Sequence, residues 1–403
     1  MSDAGRVVIV GAGLAGAKTA EALRERGFDG GITLVGDEPH RPYERPPLSK
    51  RYLQGKDDRD SVFVHPESWY DEQGIDLRRD TEAVRLDPGS REIELAGGEV
   101  LRFDDAVLAT GSRPRLLDLP GADLDGVLTL RRLEDSDRLK DVLAQGGRLA
   151  VIGGGWIGLE AAAAAREAGR DVSVLEAASL PLLRVLGPEM ASVFTDLHRR
   201  HGVDLRTDVR IDALEGQERV QGVALSDGTR VAANHVLVGV GVVPNTEVAE
   251  RAGLRVEDGI VVDEHLRTES PHVYAVGDVA RAWHPLLGRL VRVEHWANAL
   301  NQPAVAAANI LGEPAVYERQ PYFYTDQYDL GMEYVGYVEP GDYDEVVVRG
   351  DLDALEFIAF WLKDSRVRAA MNVNVWDAGD SIRALLAGPP VDRDRLADPA
   401  TPL

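Results

Sequence analysis

Apolar residues near the start of the chain form a short unbroken run, Arg6-Val-Val-Ile-Val10, bounded by glycine. An alanine-rich stretch to Arg26 and a second apolar run, Ile32 to Val35, follow it. Short continuous apolar runs flanked by turn residues predict strands buried on both faces. The stretch between them predicts a helix. The same order returns at Leu149-Ala-Val-Ile, a predicted helix from Leu159 to Ala168, and Val172-Ser-Val-Leu175. Alternation of strand and helix predicts an α/β chain with doubly wound parallel sheets.

Each first strand runs into glycines. Gly11-Ala-Gly13-Leu-Ala-Gly16 and Gly153-Gly-Gly155-Trp-Ile-Gly158 superpose at a constant offset of 142 residues. In such a loop the first glycine permits the tight turn and the second lets backbone approach a pyrophosphate. The third lets helix pack on strand. The phosphates then meet the exposed amides and positive end of the helix. One copy is weak evidence, since glycines serve turns in any protein. Two copies in this context imply two Rossmann-like units and two dinucleotides. After the second unit's closing strand stands Glu176, placed to accept from ribose hydroxyls and to repel a 2′-phosphate, although Arg184 lies nearby. At the matching place in the first unit is Gly36, with Asp37 one residue late; a surface turn residue is the alternative reading of Asp37.

Two further strands end in glycine, Ala106 to Thr110-Gly111 and Val236 to Gly241, each followed by a proline that marks a change of direction. A third, within Thr268 to Asp278, ends Gly277-Asp278 and sets a carboxylate at the ligand-binding edge of a parallel sheet. These crossings predict a discontinuous first domain (1–112 and 244–320) with a second domain (113–243) inserted in it. From about Pro321 aromatic residues cluster and short alternating strands follow, which predicts a C-terminal α+β domain (321–403). The tail after Gly388 is expected to fray.

Composition narrows the chemistry. The 403 residues carry 45 Lys and Arg against 68 Asp and Glu, a net charge of −23. That charge argues against nucleic-acid partners and anionic membrane surfaces. No apolar run reaches the ~18 residues of a membrane span, and a cytoplasmic protein is expected. There is no cysteine. Thiolate catalysis, disulfide exchange and protein-held iron–sulfur clusters are therefore excluded, and redox work falls to an organic cofactor or to a metal held through N and O ligands. His198 and His201 are spaced i, i+3 without a carboxylate at ligand spacing, so no metal site is expected.

Beyond the glycine loops the chain contains Arg45-Pro-Pro-Leu-Ser-Lys50, Glu294-His-Trp296-Ala-Asn298 and Thr325-Asp-Gln-Tyr328-Asp. With these segments it resembles the pyridine-nucleotide flavoprotein reductases of the glutathione-reductase structural class. Within that class it is most similar to the ferredoxin reductases of oxygenase systems. The resemblance implies an enzyme that takes a hydride from NADH onto FAD and passes single electrons to a 2Fe–2S or other small iron–sulfur ferredoxin, which serves a cytochrome P450 or a Rieske oxygenase. It implies FAD in the first domain, over Gly11, Gly13, Leu14, Ala15 and Gly16. Asp37, Arg45, Thr110, Gly111, Gly277, Asp278 and Trp296 would also hold it, and Val84 and Arg131 match further contact positions. NADH would bind over Gly153, Gly155, Ile157 and Gly158, with Glu176 on its ribose. Lys50 and Glu160 are the polar pair expected beside the reacting rings, where a fixed cation stabilises charge arriving on the flavin. Taken as isolated residues, they read equally as a solvated lysine and a helix-surface carboxylate.

Disulfide reductases of the class carry a cysteine pair near 42–50, which is missing here, so electrons must leave for an outside acceptor. Rubredoxin, a quinone or monodehydroascorbate are alternatives to ferredoxin. A flavoprotein sensor or scaffold resembling apoptosis-inducing factor is the non-enzymatic one. Arg281, Arg289 and Arg292 are candidates for a basic patch that would receive an acidic ferredoxin.

Overall fold

The computed structural model describes residues 5–403, which form two compact units. The first takes the described residues up to Arg45, then Asp58–Arg113 and Val242–Pro321. Its central sheet is parallel, with strands in the order Val273–Ala275, Asp105–Leu108, Arg6–Val10, Gly31–Val35 and Ile75–Arg78. The middle strand is covered on both faces, and Val7 to Val10 are all buried. Burying each such side chain is worth roughly 1.5–3 kcal/mol, which is why the run is unbroken and does not alternate. Helix Leu14–Glu25 buries a face of small residues, among them Ala15, Gly16, Ala17 and Ala20, and packs against helix Trp296–Ile310. A three-stranded antiparallel sheet, Ala83–Asp87, Glu92–Leu95 and Val100–Arg102, completes its core.

The two strand crossings are clasped to each other. Thr110 Oγ1 donates to the Asn245 carbonyl (2.7 Å), and Asn245 Nδ2 donates back to the Thr110 carbonyl (2.8 Å). Arg113 donates to the Asn245 side-chain oxygen (2.8 Å).

The second unit takes Pro46–Asp57, Pro114–Gly241 and Tyr322–Leu403. Its parallel sheet repeats the first, in the order Asp204–Arg206, Asp171–Leu175, Arg148–Ile152, His235–Val238 and Val127–Leu128. The C-terminal residues form a five-stranded antiparallel sheet, Tyr322–Gln327, Leu330–Gly336, Arg366–Val373, Glu356–Lys363 and Glu345–Asp351 in spatial order. Strand Glu356–Lys363 shows why this sheet joins the second unit. Phe357, Ala359 and Trp361 point to one face, into the core shared with Met190 and Phe194. Ile358, Phe360 and Leu362 point to the other, against Ile382 and Leu396. The Trp361 indole donates to the Leu186 carbonyl (3.2 Å) within helix Leu183–Arg200.

Two segments lie elsewhere than the sequence predicts. Residues 46–57 belong by their contacts to the second unit: Leu53 is in its core, and the Ser136 hydroxyl donates to the Leu48 carbonyl (2.8 Å). The tail beyond Gly388, expected to fray, is held. Asp392 caps helix Arg393–Ala397 by accepting from the Asp394 and Arg395 amides, and Leu396 is buried. The Arg349 guanidinium donates to the carbonyls of Asp398 (2.5 Å) and Thr401 (2.6 Å). One arginine collecting several carbonyls is a long-range feature that composition does not reveal.

Candidate functional site

The two glycine loops have the same local geometry, reached for the same steric reasons. Gly11 has φ +114°, and a Cβ there would lie 2.1 Å from the Ala109 carbonyl oxygen. Gly153 has φ +102°, and its Cβ would lie 2.4 Å from the Gly239 carbonyl oxygen. A Cβ on Gly16 or Gly158 would strike the carbonyl oxygen of the loop's own first glycine, at 2.0 and 2.2 Å. Only glycine fits these four places. The middle glycines differ in kind: nothing lies within 4 Å of a Cβ built at Gly13, and only Gly239 O, at 4.0 Å, approaches one at Gly155. Neither is needed for packing, so each leaves open space beside a helix N-terminus, the space a pyrophosphate takes. A dinucleotide fits both loops.

The loops part company over the carboxylates that follow their second strands. A Cβ at Gly36 would lie 2.4 Å from the Ala12 Cβ, so the methyl of Ala12 excludes any side chain at the first strand's end. In the second loop the residue matching Ala12 is Gly154, whose missing side chain leaves room for Glu176. There Glu176 Oε2 accepts from the Gly154 amide (2.6 Å) and Oε1 from the Ala178 amide (2.7 Å). In the first loop the acid is displaced along the chain. Asp37 is exposed, whereas Glu38, which the motif did not single out, accepts from Arg45 (2.8 Å) and from the Tyr43 hydroxyl. Burial alone would lower the Arg45 guanidinium; Tyr43, Glu38 and Asp278 outweigh it and hold Arg45 protonated.

Thr110, Gly111, Gly277 and Asp278 follow strands of the same first parallel sheet, whereas Val84, Ile157 and Arg131 lie elsewhere. A Gly11 Cβ would also meet the Thr110 amide nitrogen (2.9 Å), placing Thr110-Gly111 against the loop. Gly277 has φ +78° and its Cβ would stand 3.0 Å from that of Ala15; its amide donates to Gln302 (2.7 Å). The next residue, Asp278, accepts from the Ser112 hydroxyl (3.0 Å). Trp296 opens helix Trp296–Ile310, and its indole donates to Glu44 (3.0 Å). Burial pushes His295 down to about 4 despite the opposing charge of Asp278, so its ring is neutral. Leu14 and Ala15 begin the first loop's helix and are buried, whereas Ile157 in the second is exposed. Val84 lies on strand Ala83–Asp87. Arg131 precedes helix Leu133–Gln145 in the second unit, its amide donating to Asp135 (2.9 Å).

Lys50 and Glu160, separated by 110 residues in sequence, meet inside the second unit. Helix Trp156–Glu167 starts at the glycine loop, three residues before its predicted start, and carries Glu160 on its buried face. The short helical turn Pro46–Ser49 delivers Lys50. The ammonium pairs with Glu160 Oε1, with side chains only 11% and 3% exposed. Two hydroxyls complete the carboxylate: Ser49 donates to Oε2, and Thr325 to Oε1 (2.6 Å). The Lys50 ammonium also lies 5.4 Å from the Tyr324 ring centre. A buried ion pair is tolerated when its remaining lone pairs are filled. Ser49 and Thr325 supply that, and neither residue type announces it in sequence.

The expected basic patch is weaker than predicted. Arg292 is neutralised by Asp258 (3.1 Å) and Glu294 (2.5 Å), and Arg281 donates to the Glu257 carbonyl (2.9 Å). Among the described residues no cluster of three or more His, Asp or Glu could hold a metal, and no helix is long and apolar enough to cross a membrane.

Two glycine loops at helix N-termini, each with a carboxylate near the end of its second strand, and a buried lysine–carboxylate pair are the features of a reductase built around two dinucleotides. The chain belongs to the pyridine nucleotide-disulphide oxidoreductase family, whose model matches residues 5–303, and a reductase C-terminal domain matches residues 322–403. Enzymes of this group are FAD-dependent oxidoreductases that use NAD(H). Among its relatives is the 5,5'-dehydrodivanillate O-demethylase ferredoxin reductase subunit of Sphingobium, 41% identical over 98% of this chain and 97% of the relative. Another is putidaredoxin reductase of Pseudomonas putida, 40% identical over 98% and 95%. A solved covalent complex of putidaredoxin reductase with putidaredoxin superposes on this chain with a TM-score of 0.95 at 39% identity, covering 99% of this chain and 97% of that one.

Proposed function

We propose that the protein is an NADH-dependent ferredoxin reductase of a cytochrome P450 or Rieske-type oxygenase system, working in the cytoplasm. When bound, FAD supplies the conversion of a two-electron hydride donor into single electrons. Gly11, Gly13, Leu14, Ala15 and Gly16 would cradle its pyrophosphate. Thr110, Gly111, Gly277, Asp278, Arg45, Trp296, Val84, Arg131 and Asp37 or Glu38 would hold the rest. Gly153, Gly155, Ile157 and Gly158 would seat NADH, with Glu176 discriminating against a 2′-phosphate. Lys50, kept in place by Glu160, would stabilise negative charge arriving on the flavin ring. The observation that carries the reading is the buried Lys50–Glu160 pair, whose carboxylate stands on the helix that leaves the second glycine loop.

The chain has no cysteine, so the disulfide chemistry for which the family is named has no residues to run on here, and an external acceptor is required. Relatives named for ferredoxin systems favour an iron–sulfur protein, and a rubredoxin reductase of Pseudomonas putida, 34% identical over 92% of this chain, keeps rubredoxin as the second choice. The test is NADH-driven cytochrome c reduction with a 2Fe–2S ferredoxin from a P450 or Rieske system, with rubredoxin, and with neither. Turnover that requires the ferredoxin is expected. Equal turnover without any carrier, or with rubredoxin alone, would replace this acceptor.

A further inference from the structure

The hydroxyl that Thr325 gives to Glu160 is the last link of a longer buried chain. Gln327 Nε2 donates to Thr325 Oγ1 (3.1 Å), and Gln327 Oε1 faces His198 Nε2 (2.8 Å). The other ring nitrogen, Nδ1, faces the Tyr328 hydroxyl (3.3 Å). Thr325, Gln327 and His198 are all almost wholly buried. Every donor in this chain follows from its inner end. A carboxylate paired with lysine can only accept, so Thr325 spends its proton on Glu160 and its oxygen must accept from the Gln327 amide nitrogen. The Gln327 oxygen then faces His198, which must present Nε2–H, leaving Nδ1 bare to accept from Tyr328. Burial, reinforced by His201 and only partly opposed by Gln327, pushes His198 down to about 4, so the ring carries one proton at neutral pH, as this pattern requires.

The outer end is anchored at a cost. Tyr328 stands at the turn between strands Tyr322–Gln327 and Leu330–Gly336 with φ +57°, where a bulky side chain is disfavoured. Its ring stacks on His201 at 3.7 Å, nearly parallel. All links point the same way, from Tyr328 inward to Glu160, and bonds aligned in one direction polarise one another. The chain is suited to holding and not to conducting, because a proton cannot pass the Gln327 amide without an unfavourable tautomer.

We propose that Thr325, Gln327 and His198 are positioning residues that aim the Glu160 carboxylate at Lys50 and thereby set the rate of hydride transfer from NADH. This rests on the role given above to Lys50 and Glu160. It also gives a task to the Thr325-Asp-Gln-Tyr328 stretch and to His198, neither of which the nucleotide loops explain.

The test uses FAD-loaded wild-type, Thr325→Val, Thr325→Ser and Glu160→Gln proteins. Anaerobic single-turnover bleaching of the flavin gives the limiting rate and the half-saturating NADH concentration separately. Thr325→Val is expected to lower the limiting rate about tenfold while leaving the half-saturating concentration within about twofold. Thr325→Ser, which restores the hydroxyl, should recover most of the loss. Nitrogen NMR of the histidine rings supplies a readout apart from activity: His198 should be the neutral Nε2–H tautomer in wild type and a tautomer mixture in Thr325→Val. Slow bleaching in Glu160→Gln with wild-type bleaching in Thr325→Val overturns the proposal alone. Wild-type bleaching in Glu160→Gln overturns the reading beneath it as well. A His198 that is Nδ1-protonated or doubly protonated at neutral pH overturns the chain itself.

Discussion

Single residues set the two glycine loops apart. In the second loop Gly154 lacks a side chain and Pro181 and Glu176 occupy the space; in the first, Ala12 closes it and Gly36 must be small. The pair therefore changes together, small against large, and the acid of the first loop moves to Asp37 and Glu38. Replacing Glu176 by alanine removes the carboxylate that would repel a 2′-phosphate. Steady-state assays of Glu176→Ala should show a rise in KM for NADH of about tenfold with kcat little changed, and weaker discrimination against NADPH. Unchanged values for both coenzymes would remove Glu176 from the nucleotide site. The glycines and Glu176 were legible because their backbone and ligand constraints are local. Ser49 and Thr325 were not, because they reach a carboxylate 111 and 165 residues away, whereas Glu38, whose partners Tyr43 and Arg45 are near in sequence, stands one residue past the acid that the motif singles out.

Among the elements, the strands were plainest in sequence because their two-sided burial leaves an unbroken apolar run. Helix starts were less plain. Helix Trp156–Glu167 begins inside what reads as glycine loop, since Gly155 serves as its extended N-cap. The C-terminal tail is hidden for a similar reason, as a Pro- and Asp-rich stretch carries no local sign that Arg349 collects its carbonyls. Its short helix contributes Leu396 to the core beneath strand Glu356–Lys363. Leu396→Ala should destabilise the protein by about 2–3 kcal/mol, seen as a lower thermal midpoint with flavin content preserved. A tail that truly frays would make this substitution silent.

For the molecule as a whole, what is missing from the composition proved as informative as what is present. Without cysteine no disulfide chemistry can run, so a family that includes disulfide reductases is here restricted to outside acceptors. The net charge of −23 makes a general attraction to acidic carriers impossible, and the pairing of Arg292 with two acids removes one of the three candidate exceptions. Both nucleotide loops, their order and the C-terminal change of texture could be read from the chain. The joining of residues 46–57 to the second unit could not, because it rests on core contacts far apart in sequence. The central claim is that one loop keeps FAD while the other admits NADH to reduce it. Anaerobic titration of the purified protein with NADH, followed through the flavin absorbance, tests it most directly. A yellow protein bleached by about one equivalent of NADH is the predicted result. A protein that stays colourless with added FAD, or one whose oxidised flavin spectrum persists under excess NADH, would contradict it.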